Sequence, residues 1–500
     1  MRRHLLLIAS LFITIIAGSQ QLWKEESSAS QLDYLSRNSG TLPASVKFYT
    51  LDAQILQTRM LEARAFDATA TTATLELPLP DGSFITADVY ESSILTPQLQ
   101  ATIPNVKTYA LVDKVSKSSL GRVTIYDNAI TGLIFSDKGT VYINPVNSNN
   151  NRVHITYFTK EVHYPVPVAC GVKDEQGRES GSGAARIYAG DCQLRTYDLA
   201  VAATGEYYVW AGSSQANALA YITIAVNNIN AVYERDATIR FNLVTNNSII
   251  YTDAATDPYA TVGFPNGALL TANNSATDLE LGAGAYDVGI VFNDGWNGGL
   301  AQLSSVCGAS HGRAAAGIDF GTGSNPTAGP QGPVFEGTVA HEIAHQFSAT
   351  HTMIANNDGC AGNVTAATAY EPGGGSTIMA YAGTCTGNAY QGNSDLYFHA
   401  GSVAQIAGFA TTGAGNGCPV TTALANVAPT VNVAAASYTI PVSTPFVLTC
   451  SASDANANDL TYTWEQMDAA AEISTPPLAT STTGPNFRSF PQSISPTRYF

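Results

Sequence analysis

The residues best suited to chemistry lie between His341 and His351, in the stretch HEIAHQFSATH. On a helix of about 3.6 residues per turn, His341 and His345 stand four apart on one face, so both imidazoles reach one ion. Glu342 stands beside them. His351 comes six residues after His345, too far along a continuing helix to meet the same ion, so the helix has to stop and the chain to double back. Three histidines and a water make an open tetrahedral zinc site. There zinc polarises a carbonyl and lowers the pKa of the water, whose proton the adjacent glutamate takes. Against this stands a plain reading: a histidine pair on a polar helix face and a solvated helix carboxylate at Glu342. The third histidine and a downstream hydrophobic turn, TIMAYAG (Thr377 to Gly383), weigh against it.

Such a site needs a helix from about Gly337 to Phe347 and a scaffold beneath it. LRTYDLAVAAT, from Leu194, reads as a strand. Ser214 to Asp236 reads as a long alanine- and isoleucine-rich helix, IRFNLV as a second strand, and YDVGIVFN (Tyr286 to Asn293) as a buried apolar strand. Strands alternating with helices imply an α/β sheet packed by helices. Beyond His351 the composition turns rich in Gly, Asn and Thr, and Ser394 to Phe409 reads as a closing helix in which His399 is a packing residue.

The histidine spacing followed by TIMAYAG resembles the signature of the metzincin zinc peptidases, HExxHxxGxxH with a Met-turn. The chain is similar to the reprolysin and adamalysin group, of the secreted bacterial type with a C-terminal Ig-like domain. The resemblance implies an α/β catalytic domain over 193–427: a mixed, mostly parallel sheet, an active-site helix and a loop-rich lower subdomain. It implies zinc held by His341, His345 and His351, with Glu342 as general base and Met379 as the apolar floor. It makes GGLAQLSSVCG (Gly298 to Gly308) the antiparallel edge strand lining the substrate cleft, and pairs Cys360 with Cys385 and Cys307 with Cys418. Two positions depart from the reprolysin pattern. Ser348 replaces the glycine that turns the chain, at a cost of roughly 1 to 2 kcal/mol if its φ is positive. Tyr381 stands where astacins and serralysins carry a tyrosine that binds zinc and then stabilises the tetrahedral intermediate, and where reprolysins have none; the other reading for it is a hydrogen-bonded packing residue.

The N-terminal residues 1–19 combine a basic start, an apolar core and small residues near Ala17 to Ser19, a cleaved signal peptide, with a membrane anchor as the alternative. Residues 20–169 alternate β-rich runs such as TATLELPL, ITADVY, GRVTIYD, GLIFSD and TVYINP with polar turns, an antiparallel domain of its own. His154 and His163 are isolated there. By position and pattern this region resembles the pro-domain of reprolysin-like enzymes. Residues 170–192 have linker composition. Within ACGV, Cys170 resembles a cysteine switch that fills the fourth zinc position until cleavage after Arg178 or Arg186; the other reading is a Cys170–Cys192 disulfide across the linker.

The chain is globular in composition, at 45% hydrophobic residues, and acidic, with net charge −16. Between 191 and 427 the basic residues are Arg195, Arg235, Arg240 and Arg313, and no lysine follows Lys173. Such a surface repels phosphate backbones, which argues against nucleic acid as a partner; no segment after the leader is apolar enough to span a bilayer. The seven cysteines suggest disulfides in an exported chain, with Cys450 left to pair beyond residue 500. Residues 428–500 look like the start of an Ig-like or PKD-like β-sandwich around Trp464, in which Asp454, Asn456 and Asp459 are either calcium ligands or plain turn residues. The sequence thus points to an extracellular zinc endopeptidase made as a zymogen and acting on proteins. The alternatives are a catalytically impaired relative and an adhesion protein working through its C-terminal β-domain.

Overall fold

The computed structural model describes residues 21–27, 42–65, 72–147, 150–162, 168–172, 190–264, 266–320, 332–385, 387–433, 437–469, 477, 480–482 and 484–500. The leader expected over 1–19, the candidate cleavage residues Arg178 and Arg186, and His163 lie outside them.

The first unit is a ten-stranded sheet among the described residues. Its spine runs Val46–Leu51, Asn150–Phe158, Gly139–Asn147, Ala129–Ser136, Ser119–Tyr126, Val106–Asp113 and Phe84–Glu91, each antiparallel to the next. Period-two alternation of β-branched and aromatic residues drives these strands, because it gives each a buried face. One face closes over Leu75, Val89, Leu111 and Val123. The other, carrying Tyr126, Leu133, Phe135 and Tyr142, merges into the core of the next unit. His154 is fully buried, edge-on to Trp23 and accepting the Ile130 N–H at 3.1 Å, the packing role expected of an isolated histidine.

The second unit is built on Gln193–Ala203. This strand is parallel to Ile239–Leu243 and to Val288–Asp294, which is in turn parallel to Ala314–Ile318. Gly298–Ala301 runs antiparallel beyond it. Val420–Ala423 returns antiparallel to Gln193–Thr196 and closes the unit. The sheet is mixed and mostly parallel, as the resemblance implied, but the edge strand covers only Gly298–Ala301; the rest of the stretch to Gly308 is turns. The long helix is Gln215–Ala237, started by the Ser214 side chain accepting Asn217 N–H and stopped by Thr238 in the left-handed region at φ 52°. The closing helix begins later than expected, at Ala400. His399 precedes it, buried and stacked on Tyr370, its Nδ1 accepting the Gly401 N–H.

At the C-terminus, Thr430–Val433, Val447–Ser453 and Thr497–Tyr499 form a three-stranded antiparallel sheet. Trp464 is half-buried, its indole N–H on the Pro496 carbonyl at 3.0 Å, so it is not the core residue expected of a sandwich. The Asp454 carboxylate accepts the N–H groups of Asn456 and Asn458, and the Asn456 amide oxygen accepts that of Val427. These are turn residues, and nothing in their geometry supports calcium. No helix among the described residues is long and apolar enough to cross a membrane.

The first unit reaches into the second at Glu336, on the helix that carries the histidines. Tyr142 Oη and Asn228 Nδ2 donate to Glu336 Oε1 at 2.9 and 2.8 Å. Burial pushes this carboxyl up to about 8, the two hydrogen bonds opposing only part of the shift. Between the ordinary glutamate pKa of 4.5 and about 8, the folded chain keeps a proton that the unfolded chain has released. Stability therefore falls as pH rises through that window and levels off above it. Glu336→Gln keeps the acceptor and removes the titration, so its melting temperature should gain steadily on the wild type from about pH 5 to 8. A constant difference over that range would contradict the buried, protonated carboxyl.

Candidate metal centre

The histidine helix runs Pro333–Gln346 and is buried over most of its length against the sheet strand Ala314–Ile318. Proline suits its first turn, where an N–H has no helical partner. At the other end the Ser348 N–H reaches the His345 carbonyl at 2.8 Å and the Ala349 N–H reaches that of Ala344 at 2.9 Å. This pair of bonds is a Schellman motif, whose pivot must be left-handed. The pivot is Ser348, at φ 74°. The chain therefore makes the required turn with a side chain in place of glycine, at a cost of roughly 1 to 2 kcal/mol, and the Ser304 hydroxyl donates to Ser348 Oγ at 3.0 Å. Serine there does not keep the third histidine away.

The three imidazoles converge. His341 Nε2 lies 3.0 Å from that of His345 and 3.3 Å from that of His351, and the latter two are 3.2 Å apart. His341 Nδ1 is 2.7 Å from the Ile378 carbonyl and His345 Nδ1 is 2.7 Å from the Ala349 carbonyl. A carbonyl only accepts, so both Nδ1 atoms carry the proton and both Nε2 atoms present lone pairs. Burial, and then the neighbouring His351, hold His341 down at about 3, so His341 is neutral, with its Nε2 lone pair turned to the cluster. Facing lone pairs repel unless a cation lies between them. Nitrogen ligands at about 2.0 to 2.1 Å from a tetrahedral zinc stand roughly 3.3 Å from one another, the spacing found here. The donor set and its tautomers fit zinc.

Cys170 completes the cluster. Its Sγ lies 3.5 Å from His345 Nε2 and 3.6 Å from Glu342 Oε2, and the four candidate ligand atoms all fall within 4.8 Å of one another. Cys170 and Cys192 are both free thiols, so the disulfide between them is absent. The thiol is carried by a short strand, Ala169–Cys170, parallel to Gly298–Gly299, and the Gly171 N–H extends the pairing to the Gly299 carbonyl at 2.8 Å. From the opposite wall Tyr381 Oη donates to the Cys170 carbonyl at 3.0 Å and Thr384 Oγ1 to that of Val168 at 2.9 Å. Tyr381 also stands edge-on to His351, with ring centroids 4.8 Å apart.

Glu342 is fully buried beside the thiol; its Oε1 has no hydrogen-bond partner among the described residues, and burial pushes the carboxyl up to about 8. Its space is made by Gly299. A Cβ there would come within 2.2 Å of Glu342 Oε1. Met379 is buried, and its carbonyl accepts the N–H of Thr352, next to His351, at 3.1 Å. Disulfides Cys307–Cys418 and Cys360–Cys385 form as the resemblance implied.

Two residues of this region carry no local sequence signal. Gly299 is one glycine of a pair, and only the approach of Glu342 shows why it is glycine. Glu371, 1% exposed, accepts from Thr352 Oγ1, Thr377 Oγ1, Ser376 Oγ and the N–H groups of Ser376 and Thr377. It ties the residue after His351 to the start of the turn that carries Met379, a junction visible only in three dimensions.

No curated protein matches the chain. Residues 193–410 match the family model described as metallo-peptidase family M12B, reprolysin-like, a family of zinc metallopeptidases. The span holds the sheet strands from Gln193 to Ile318, the histidine helix, the turn at Met379 and nearly all of the closing helix. On this match and this architecture, residues 193–410 form a reprolysin-like metzincin domain of the M12B metallopeptidases.

Proposed function

We propose that the protein is a secreted zinc endopeptidase, made as a zymogen, that hydrolyses extracellular proteins. The observation that carries this reading is the convergence of three Nδ1-protonated or buried imidazoles with Cys170 Sγ on one point beside a buried carboxylate. His341, His345 and His351 would hold the metal, which when bound supplies Lewis acidity toward a peptide carbonyl and lowers the pKa of a neighbouring water.

Glu342 takes the proton from that water and returns it to the departing amine. Gly299 gives its carboxylate room to lie against the cleft. The free edge of Gly298–Ala301 holds the substrate extended by main-chain hydrogen bonds. Beside His341 and Glu342 a cavity of about 70 Å³, walled partly by Val334, Thr338, Ile378 and Ala380, takes a small apolar side chain of the substrate. Tyr381, once its hydroxyl is released from the Cys170 carbonyl, donates to the oxygen on which negative charge develops.

In the uncut chain the segment around Cys170 occupies both the fourth ligand position and the substrate edge. Latency follows from that double occupancy. The domain limits that go with this reading are a leader over 1–19, a pro-domain over 20–169, a linker over 170–192, the peptidase over 193–427 and a β-domain over 428–500. The test is casein cleavage by the cut protein from which the N-terminal domain has been removed, before and after a zinc chelator. Cleavage should vanish with the chelator and return with added zinc; chelator-insensitive cleavage, or none from the freed, zinc-replete peptidase domain, would overturn the assignment.

A further inference from the structure

The join between the N-terminal sheet and the peptidase domain is that of a permanent interface, although a pro-domain is meant to leave. Its centre is Arg122, on the strand Ser119–Tyr126 and 1% exposed. Nε donates to Asn227 Oδ1 at 2.7 Å, Nη1 to both Glu234 oxygens at 2.9 and 3.1 Å, and Nη2 to Ser92 O and Oγ at 2.8 and 3.0 Å. Every donor of the guanidinium is used, and Asn227 and Glu234 both belong to the long helix of the peptidase domain. Around it, Tyr126, Leu133, Phe135 and Tyr142 of the sheet share one continuous apolar core with Tyr221 and Val232 of that helix. Such a surface resembles a domain core cut in two, the mark of interfaces that stay closed.

The N-terminal unit also guards both edges of the peptidase sheet. At one edge the Leu243 N–H donates to the Ile94 carbonyl at 2.7 Å, and Leu95 bridges Leu243 in parallel. At the other, Ala169–Cys170 pairs with Gly298–Gly299. Removing the unit would uncover two sheet edges, the apolar flank of the long helix, and the buried groups Asn227, Asn228 and Glu336 together.

We propose that the N-terminal domain is a retained subunit: cutting the chain between Cys170 and Gln193 leaves it docked on the helix Gln215–Ala237, with Cys170 still at the histidines. The second half of this statement rests on the thiol reading above. Cys170 stays covalently joined to the docked sheet through its upstream side, so its local concentration at the metal remains in the millimolar range set by a short tether, about as before the cut. Opening the cleft then requires destruction or displacement of the domain, and the cut alone does not suffice.

The experiment uses the full chain with a recognition sequence for a site-specific protease inserted between Lys173 and Gly190, cleavage being verified on a denaturing gel. On native size exclusion at about 0.1 µM, the range of stable interfaces, both fragments should elute together at the position of the intact chain, with casein cleavage still suppressed. Separate elution would overturn the proposal. Arg122→Ala should weaken the cut complex by about 30-fold or more, as expected when a buried ion pair loses one partner. Tyr142→Phe, which removes one hydroxyl and keeps the ring, should weaken it measurably while the uncut variant keeps its wild-type elution. Unchanged association in both variants would also count against the proposal. The cut Cys170→Ala protein should co-elute and cleave a small peptide substrate; co-elution without cleavage of that peptide would sink the thiol reading and leave the subunit standing.

Discussion

Glu342→Ala in the cut protein freed of its N-terminal domain is expected to lower kcat on casein by about 10²- to 10⁴-fold, the usual contribution of a positioned general base, with bound zinc unchanged. The reason is geometric. The helix places Glu342 one residue from His341 and three from His345, and Gly299 opposite keeps space for the carboxylate within the cleft. Its carboxyl is pushed up to about 8 by burial while the thiol segment covers it, which is the direction a proton acceptor working near neutrality needs. KM should move little, because the carboxylate acts on the water rather than on the peptide. Tyr381→Phe belongs to the same series: a loss of about 10²-fold in kcat is expected if its hydroxyl donates to the developing oxyanion. Turnover unaltered by Tyr381→Phe would leave that residue a packing role. Turnover unaltered by Glu342→Ala would remove the base altogether.

Cys170→Ala should convert the uncut chain from a latent to an active protein. The thiol lies 3.5 Å from His345 Nε2 and has no disulfide partner, so it stands where a fourth ligand beside the three imidazoles would. Burial and the neighbouring Glu342 charge raise the Cys170 thiol pKa well above the ordinary value when no cation is near. A buried thiol of that kind becomes a thiolate only by binding a cation, which supplies the missing charge. Without Sγ the segment keeps its strand pairing and its bonds from Tyr381 and Thr384, so the edge stays partly blocked. The gain should therefore be largest on small peptide substrates, where about 10²-fold over the uncut wild type is expected from losing a tethered competitor. Equal latency in both proteins would show that the segment blocks the cleft by its backbone alone.

The site was legible in the sequence where chemistry is written locally. Two histidines four apart need only a helix, and the third, ten residues from the first, needs only the stop that Ser348 supplies at φ 74°. The strands Gln193–Ala203 and Val288–Asp294 announced themselves as apolar runs. Ala314–Ile318, reading AAAGI, did not, because alanine has little preference for strand; it is a strand because its neighbours and the histidine helix cover it. The helix Gly267–Leu281 was missed for a similar reason, its apolar face being interrupted by the buried, hydrogen-bonded Asn273 and Asn274. Arg122, Tyr142 and Glu336 were out of reach altogether. Their partners lie roughly a hundred residues or more away in the chain, and a lone arginine in a strand gives no sign that the other unit will bury it. The choice between calcium ligands and turn residues at Asp454, Asn456 and Asp459 stayed open in the sequence because acidic and amide side chains serve turns and ions with the same spacing; the turn bonds of Asp454 and Asn456 favour the second.

The central claim is that zinc sits among His341, His345 and His351 with the Cys170 thiolate as fourth ligand in the uncut chain. Zinc-edge X-ray absorption on the purified full-length protein tests it most directly. The predicted spectrum fits about three nitrogens at 2.0 to 2.1 Å and one sulfur at about 2.3 Å, and the sulfur shell disappears in Cys170→Ala. Absence of zinc from the protein, or a first shell of nitrogen and oxygen alone in the uncut wild type, would contradict it.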